Sequence, residues 1–253
     1  MTIPPRDDNW ECGTYFPRQM TRTRIAVLAS GGGTNLQAII DHLDRLGDRR
    51  CGEVVLVASD RADAGALARG RIRGITTEAL ATPRRPEGAV LGPLLERHGV
   101  ELVVLAGYLR RVPDDVVRRY ADRMINVHPA LLPSFGGTGM YGMRVHAAVL
   151  ASGATVTGVT AHFVDEEYDR GPIIAQWPVP VLSGDDAATL AARVLRVEHV
   201  LYPRVVDAVA GGRLTLAACR GGRRLAGRAG VEFIMLSRKD DCLAEAIDRA
   251  LDC

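Results

Sequence analysis

The chain has 253 residues, 47% of them apolar, which is enough for a full core and excludes a disordered chain. Its 32 basic and 30 acidic residues leave a net charge of +2, and aromatics make up 5%, so neither nucleic acid nor an anionic membrane is indicated as the main partner. Lys239 is the sole lysine, which argues against Schiff-base chemistry, and the five scattered cysteines contain no CxxC pair, which argues against a disulfide framework or a zinc site.

Residues 1–22 are polar, carry Pro4, Pro5, Asp7, Asp8 and Glu11, and lack the apolar stretch of a signal peptide, so they read as a flexible extension. Strand and helix patterns then alternate. Arg24–Ala29 is an apolar run stopped by Ser30-Gly31-Gly32-Gly33, after which Thr34 or Asn35 is expected to cap a helix through Leu36, Ile39, Ile40 and Leu43. Val54–Ala58 is a second strand, 64–73 a helix, and Leu102–Ala106 a third buried strand. Further strands are expected at 124–127, 158–164 and 173–181, followed by a long helix with Ala188, Leu190, Ala191, Val194, Leu195 and Val197 among its apolar positions. Apolar strands separated by helices imply an α/β fold, a mostly parallel sheet covered on both faces. Residues 213–230 hold five arginines and no acidic residue and read as a flexible basic linker. A last strand at 231–236 and a short amphipathic helix at 243–251 follow. No run of about 18 apolar residues occurs, and the expected compartment is the reducing cytoplasm.

Three segments carry chemistry. Ser30–Asn35 lies between a strand and a helix, where backbone amides and the helix N-terminus bind phosphate. The same loop partly fits a dinucleotide fingerprint, with Asp60 as the ribose-binding acid, but Leu36 stands where its third glycine belongs. A tight turn without a ligand is the plain alternative. Asn126 and His128 sit two apart at a strand's end, so both side chains point the same way. An amide beside an imidazole suits an oxyanion and a proton transfer. The run His162–Pro172 adds a carboxylate cluster at a glycine turn.

Four motifs occur in order: Ser-Gly-Gly-Gly-Thr-Asn-Leu-Gln-Ala-Ile-Ile at 30–40, Val-Leu-Ala-Gly-Tyr-Leu-Arg at 104–110, Asn-Val-His-Pro-Ala-Leu-Leu-Pro at 126–133 and Asp-Arg-Gly-Pro-Ile-Ile at 169–174. Together they resemble the phosphoribosylglycinamide formyltransferase family over residues 24–216. The resemblance implies a three-layer Rossmann-like fold with a mostly parallel sheet and its site at the strands' C-terminal ends. It implies a catalytic domain at 23–216 between extensions 1–22 and 217–253, and transfer of a formyl group from 10-formyltetrahydrofolate to the amine of glycinamide ribonucleotide.

Carried over, Asn126, His128 and Asp169 would be catalytic, with Asp169 holding His128 protonated. Gly33, Thr34 and Asn35 would hold the ribose 5-phosphate, and Glu198 would contact the glycinamide substrate. Leu109, Arg110, Arg111 and Val112, with Asn126 and the turn around Asp169, would cradle the pterin, and Arg84 would reach the folate. No metal, nucleic acid or membrane is implied, and the chain would act as a monomer or homodimer. The chain departs from the family pattern in its glycine-rich segment 135–143 and in Leu195, where relatives place Lys or Gln. A tRNA formyltransferase would need a C-terminal RNA-binding barrel that 217–253 is too short to form. A deformylase would need a longer regulatory N-terminus than 1–22 and no phosphate loop. A nicotinamide oxidoreductase would leave Asn126, His128 and Asp169 unexplained, and a non-catalytic binding relative would not need all three.

Overall fold

Alternating side chains in each central run face two different helical layers, and this sets the architecture. In β1 (Thr23–Leu28), Ile25 and Val27 point to one face while Ala26 and Leu28 point to the other, and all four are fully buried. The computed structural model describes residues 21–80, 87–219, 222–227 and 243–251. After β1 come α1 (Thr34–Leu46), β2 (Gly52–Ser59), α2 (Gly65–Ile72), β3 (Thr76–Ala79), α3 (Glu87–Arg97), β4 (Leu102–Leu105), α4 (Asp114–Arg119) and β5 (Met124–His128). The second half holds α5 (Met143–Ala151), β6 (Val156–Phe163), β7 (Ile173–Pro180), α6 (Ala187–Ala210), β8 (Leu214–Cys219), β9 (Gly222–Gly227) and α7 (Leu243–Leu251).

Seven strands form one sheet in the order β3-β2-β1-β4-β5-β6-β7. Its first five strands are parallel, and β6 and β7 continue it antiparallel. One face packs on α1 and α6, the other on α3 and α4, giving the expected three layers. The strand order reverses between β1 and β4, where loops diverge at the carboxyl edge and leave a crevice. Buried Tyr202 of α6 sets its hydroxyl between the carbonyls of Leu105 and Ile125, at 2.9 and 3.1 Å, and so registers the long helix on β4 and β5. α6 begins with a capping box in which Asp186 accepts from the Thr189 N–H and Thr189 Oγ1 accepts from the Asp186 N–H.

Two expectations are corrected. Residues 214–219 and 222–227 form an antiparallel two-stranded sheet where a flexible linker was expected. Alternating Leu214 and Leu216 carry the strand signal beneath the arginine content. The N-cap of α1 is Gly33, not Thr34 or Asn35. It has φ +73° and, as glycine, offers no side chain to cap the helix, while the Asn35 amide donates to Glu198 instead. The helix at 243–251 is present and buries Ile247 in the core beside α6. The expected strand at 231–236 and residues 1–20 lie outside the described residues.

Candidate active site

The loop after β1 is built by close packing. A Cβ on Gly33 would stand 2.6 Å from the Ala66 Cα, and its φ of +73° already favours glycine. A Cβ on Gly31 or Gly32 would meet nothing within 4 Å. With no side chain capping α1, its first-turn N–H groups are available to an anion, and exposed Thr34 stands beside them. Asn35 is buried, and its Nδ2 donates to Glu198 Oε2 at 2.6 Å. Asn35 Oδ1 has no partner. Burial drives the Glu198 carboxyl up to about 7, against the lowering effect of the Asn35 bond.

Ser30 joins this loop to the next. The Leu109 N–H donates to Ser30 Oγ at 2.8 Å, and the Ser30 N–H donates to the Gly107 carbonyl at 3.0 Å. Residues 109–112 therefore sit at a fixed distance from the glycine loop.

The sheet places the chemical centre. Asn126 and His128 end β5 on one side, and antiparallel pairing sets His162 of β6 opposite Asn126. The Asn126 amide lies 3.1 Å from His162 Nε2, and His162 Nδ1 lies 2.8 Å from the Phe163 carbonyl. A carbonyl only accepts, so His162 Nδ1 carries a proton toward Phe163 and Nε2 is the ring atom that faces Asn126. By the same logic His128 Nε2 donates to the Phe135 carbonyl at 2.8 Å, leaving Nδ1 to face Asp169 Oδ2 at 3.6 Å. Asp169 Oδ1 is also 3.6 Å from His162 Nε2, and Oδ2 accepts from the Gly137 N–H at 2.9 Å.

Burial raises the Asp169 carboxyl, but His162, His128 and the Gly137 N–H together carry it below the ordinary value. For His128 the balance runs the other way from the expectation. Burial lowers its pKa more than Asp169 and the Phe135 carbonyl raise it, so in the ligand-free site it is pushed toward the neutral form. His146, buried close by, is lowered for the same reason and further by His128. Asp169 has φ +55°, an uncommon conformation for aspartate, held where a Cβ on Gly171 would overlap the Phe163 carbonyl oxygen.

A cavity of about 680 Å³ runs from the glycine loop and Glu198, past Asn126, His128, His162 and Asp169, to residues 109–112 and 164–169. The glycine-rich segment forms its outer wall through residues 137–144, with the Arg144 guanidinium 5.0 Å from the Tyr141 ring. Arg111 spans the far end. It donates to Asp114 Oδ1 at 2.8 Å and to the Glu166 carbonyl at 3.3 Å, and lies 5.7 Å from the Tyr168 ring. Arg110 Nε lies 3.7 Å from the largely buried Asp60, so this acid faces an arginine.

The structure brings together every sequence-predicted site residue except Arg84, which lies outside the described residues. His162 was seen in the sequence only as the start of an acidic run, without a role. The antiparallel partner of β5 would have revealed it, but sequence does not report strand pairing. Among the described residues no helix is long and apolar enough to cross a membrane, and no cluster of three or more His, Cys, Asp or Glu could hold a metal ion.

Comparison with known proteins gives a consistent picture. A profile of the family described as formyl transferase matches residues 23–206. The chloroplastic phosphoribosylglycinamide formyltransferase of Arabidopsis thaliana is 42% identical over 198 residues, covering 76% of this chain and 67% of the plant protein. The Escherichia coli (strain K12) phosphoribosylglycinamide formyltransferase is 39% identical over 208 residues, covering 79% of this chain and 95% of that protein. The trifunctional purine biosynthetic protein of Bos taurus is 37% identical, but this chain spans only 20% of it. The crystal structure of glycinamide ribonucleotide transformylase 1 from Symbiobacterium toebii superposes with a TM-score of 0.73 at 41% identity, covering 81% of this chain and 94% of that one.

Proposed function

The chain belongs to the formyl transferase family, and from that premise we propose that it transfers the formyl group of 10-formyltetrahydrofolate to the primary amine of 5-phosphoribosylglycinamide. The products are formylglycinamide ribonucleotide and tetrahydrofolate, a step of purine (IMP) biosynthesis. One observation carries this reading. A single cavity joins an uncapped helix N-terminus and a buried carboxyl at one end to a cleft walled by residues 109–112 and 164–169 at the other, with Asn126, His128 and Asp169 between them.

Each group then has a task. Gly33, Thr34 and Asn35 hold the phosphate, and Glu198 meets the glycinamide portion. The amine lone pair attacks the formyl carbon, a C–N bond forms, and negative charge gathers on the former carbonyl oxygen. The Asn126 amide and a protonated His128 stabilise that oxyanion. The Nε2–H of His128 is already bonded to Phe135, so the added proton sits on Nδ1, facing Asp169. A nearby negative charge favours the imidazolium, so the developing oxyanion works against the burial that lowers the pKa of the free ring. Asp169 then carries the amine's proton, through water, to the departing folate nitrogen as its bond to carbon breaks. No metal enters this scheme. Residues 109–112 and the turn at 165–169 cradle the pterin, and Arg84 contacts the folate. The catalytic unit is 23–216, it works in the cytoplasm as a monomer or homodimer, and both partners are small molecules.

The test is spectroscopic turnover of 10-formyltetrahydrofolate with and without glycinamide ribonucleotide. Turnover only with the ribonucleotide is expected. Formyl loss indifferent to it would make water the acceptor. No turnover by folded protein would move the acceptor to another amine, on a sugar or a tRNA.

A further inference from the structure

Arg69 lies on α2, behind the glycine loop and outside the cavity wall. Its Nε donates to the Gly32 carbonyl at 2.8 Å and its Nη1 to Gln37 Oε1 at 3.2 Å, so one guanidinium grips the loop and the start of α1 together. Three residues earlier on the same helix, the Ala66 N–H donates to the Gly31 carbonyl at 3.1 Å. A trans peptide carries its C=O and N–H on opposite sides. Drawing the Gly31 and Gly32 carbonyls toward α2 therefore turns the N–H groups of Gly32 and Gly33 away from it.

The cavity end formed by the glycine loop is completed by Ala191, Leu195 and Glu198, none of them basic. A phosphate dianion there needs compensating charge, and Leu195 cannot supply it. Arg69 stands directly behind the peptide groups that would meet the anion. Its charge is felt locally at His199, which burial, and then Arg69, push toward the neutral form.

We propose that Arg69 is the positioning residue of the phosphate subsite, fixing the Gly32 and Gly33 amides toward the ligand and supplying positive charge from behind the loop. The proposal rests on the reading of a phosphorylated substrate at this end of the cavity.

The test compares wild type with Arg69→Ala, Arg69→Gln and Arg69→Lys, each first checked for a cooperative thermal transition. If the alanine variant does not fold, the lysine variant, which keeps the charge but not the two-pronged grip, carries the measurement. The KM for glycinamide ribonucleotide should rise about tenfold or more in Arg69→Ala, with kcat and the KM for 10-formyltetrahydrofolate within about twofold of wild type. Arg69→Lys should recover part of the loss and Arg69→Gln less of it. Equal movement of both KM values, or of neither, overturns the proposal. Calorimetric titration with ribose 5-phosphate needs no turnover and separates the two readings. Weaker binding in Arg69→Ala upholds the role of Arg69 even if glycinamide ribonucleotide proves not to be the substrate. Equal affinity in the two proteins, or no binding to wild type, overturns it whatever the acceptor.

Discussion

The Asn35 amide and the Glu198 carboxyl meet at 2.6 Å and tie the first turn of α1 to the middle of α6. Glu198 is otherwise enclosed, and its carboxyl is raised from 4.5 to about 7. The folded protein therefore holds a proton that the unfolded chain has already released. The resulting stability is fully present below about pH 4.5 and lost as pH rises toward 7, by about 3 kcal/mol at most. Glu198→Gln should remove this loss. Its melting temperature relative to wild type should climb between pH 5 and 7 and level off above. A constant difference across that range would count against a buried, titrating Glu198.

Replacing His128 with Ala should lower kcat by about 10²-fold to 10³-fold, comparable to the cost of one group that stabilises an oxyanion, because the positive charge beside the developing oxyanion is lost. Ribonucleotide affinity, set at the other end of the cavity, should barely change. Steady-state kinetics with each substrate varied in turn checks both halves.

Asp169 occupies a left-handed backbone position that asparagine tolerates far better than alanine. Asp169→Asn should fold with nearly wild-type stability and lose most activity, because the charge opposite His128 and His162 is gone. Asp169→Ala should lose activity and also about 2 kcal/mol of stability, through backbone strain and the missing bond to the Gly137 N–H. Denaturant titration beside an activity assay distinguishes the charge effect from the backbone effect.

The glycines of the loop are not equivalent. Gly33→Ala combines a positive φ with a clash against Ala66 and should cost about 2 kcal/mol or more. Gly31→Ala meets open space and should leave the fold intact. A methyl group at that rim should raise the ribonucleotide KM if the anion approaches there, and chemical denaturation alongside kinetics shows which glycine serves packing and which serves access.

Deleting residues 219–253 removes β9 and α7 but none of the cavity residues. Chemistry should persist at low temperature. Stability should fall by at least the contribution of fully buried Ile247, about 1.5–3 kcal/mol. Activity measured at 15 °C and a thermal melt together check this.

Much of the fold was legible in the sequence because the central strands are unbroken apolar runs between helical patterns. β3 was not, since Thr-Thr-Glu-Ala on a sheet edge carries no apolar signal, and β8 was hidden by its arginine-rich surroundings. Of the site, the motifs that carry the family resemblance single out Asn126, His128 and Asp169, and all three line one cavity. Three features needed coordinates. His162 depends on which strand lies beside β5. Arg69 acts through carbonyls it reaches from another helix. The neutral bias of His128 depends on how strongly burial opposes its carboxylate neighbour. Each is a product of packing between segments distant in sequence.

Asn126 and His162 are cross-strand partners in the β5–β6 ladder, whereas Asp169 stands on a turn held by its bonds to neighbouring loops. Ladder amides in a buried sheet open only with large segments of a protein, and turns open far more often. The two halves of the chemical centre therefore have different lifetimes. Amides of Ile125–Val127 and Ala161–Phe163 should be among the slowest to exchange with deuterium, while those around Asp169 exchange early. The enzyme would spend part of its time with a durable amide–imidazole pair awaiting the return of its carboxylate.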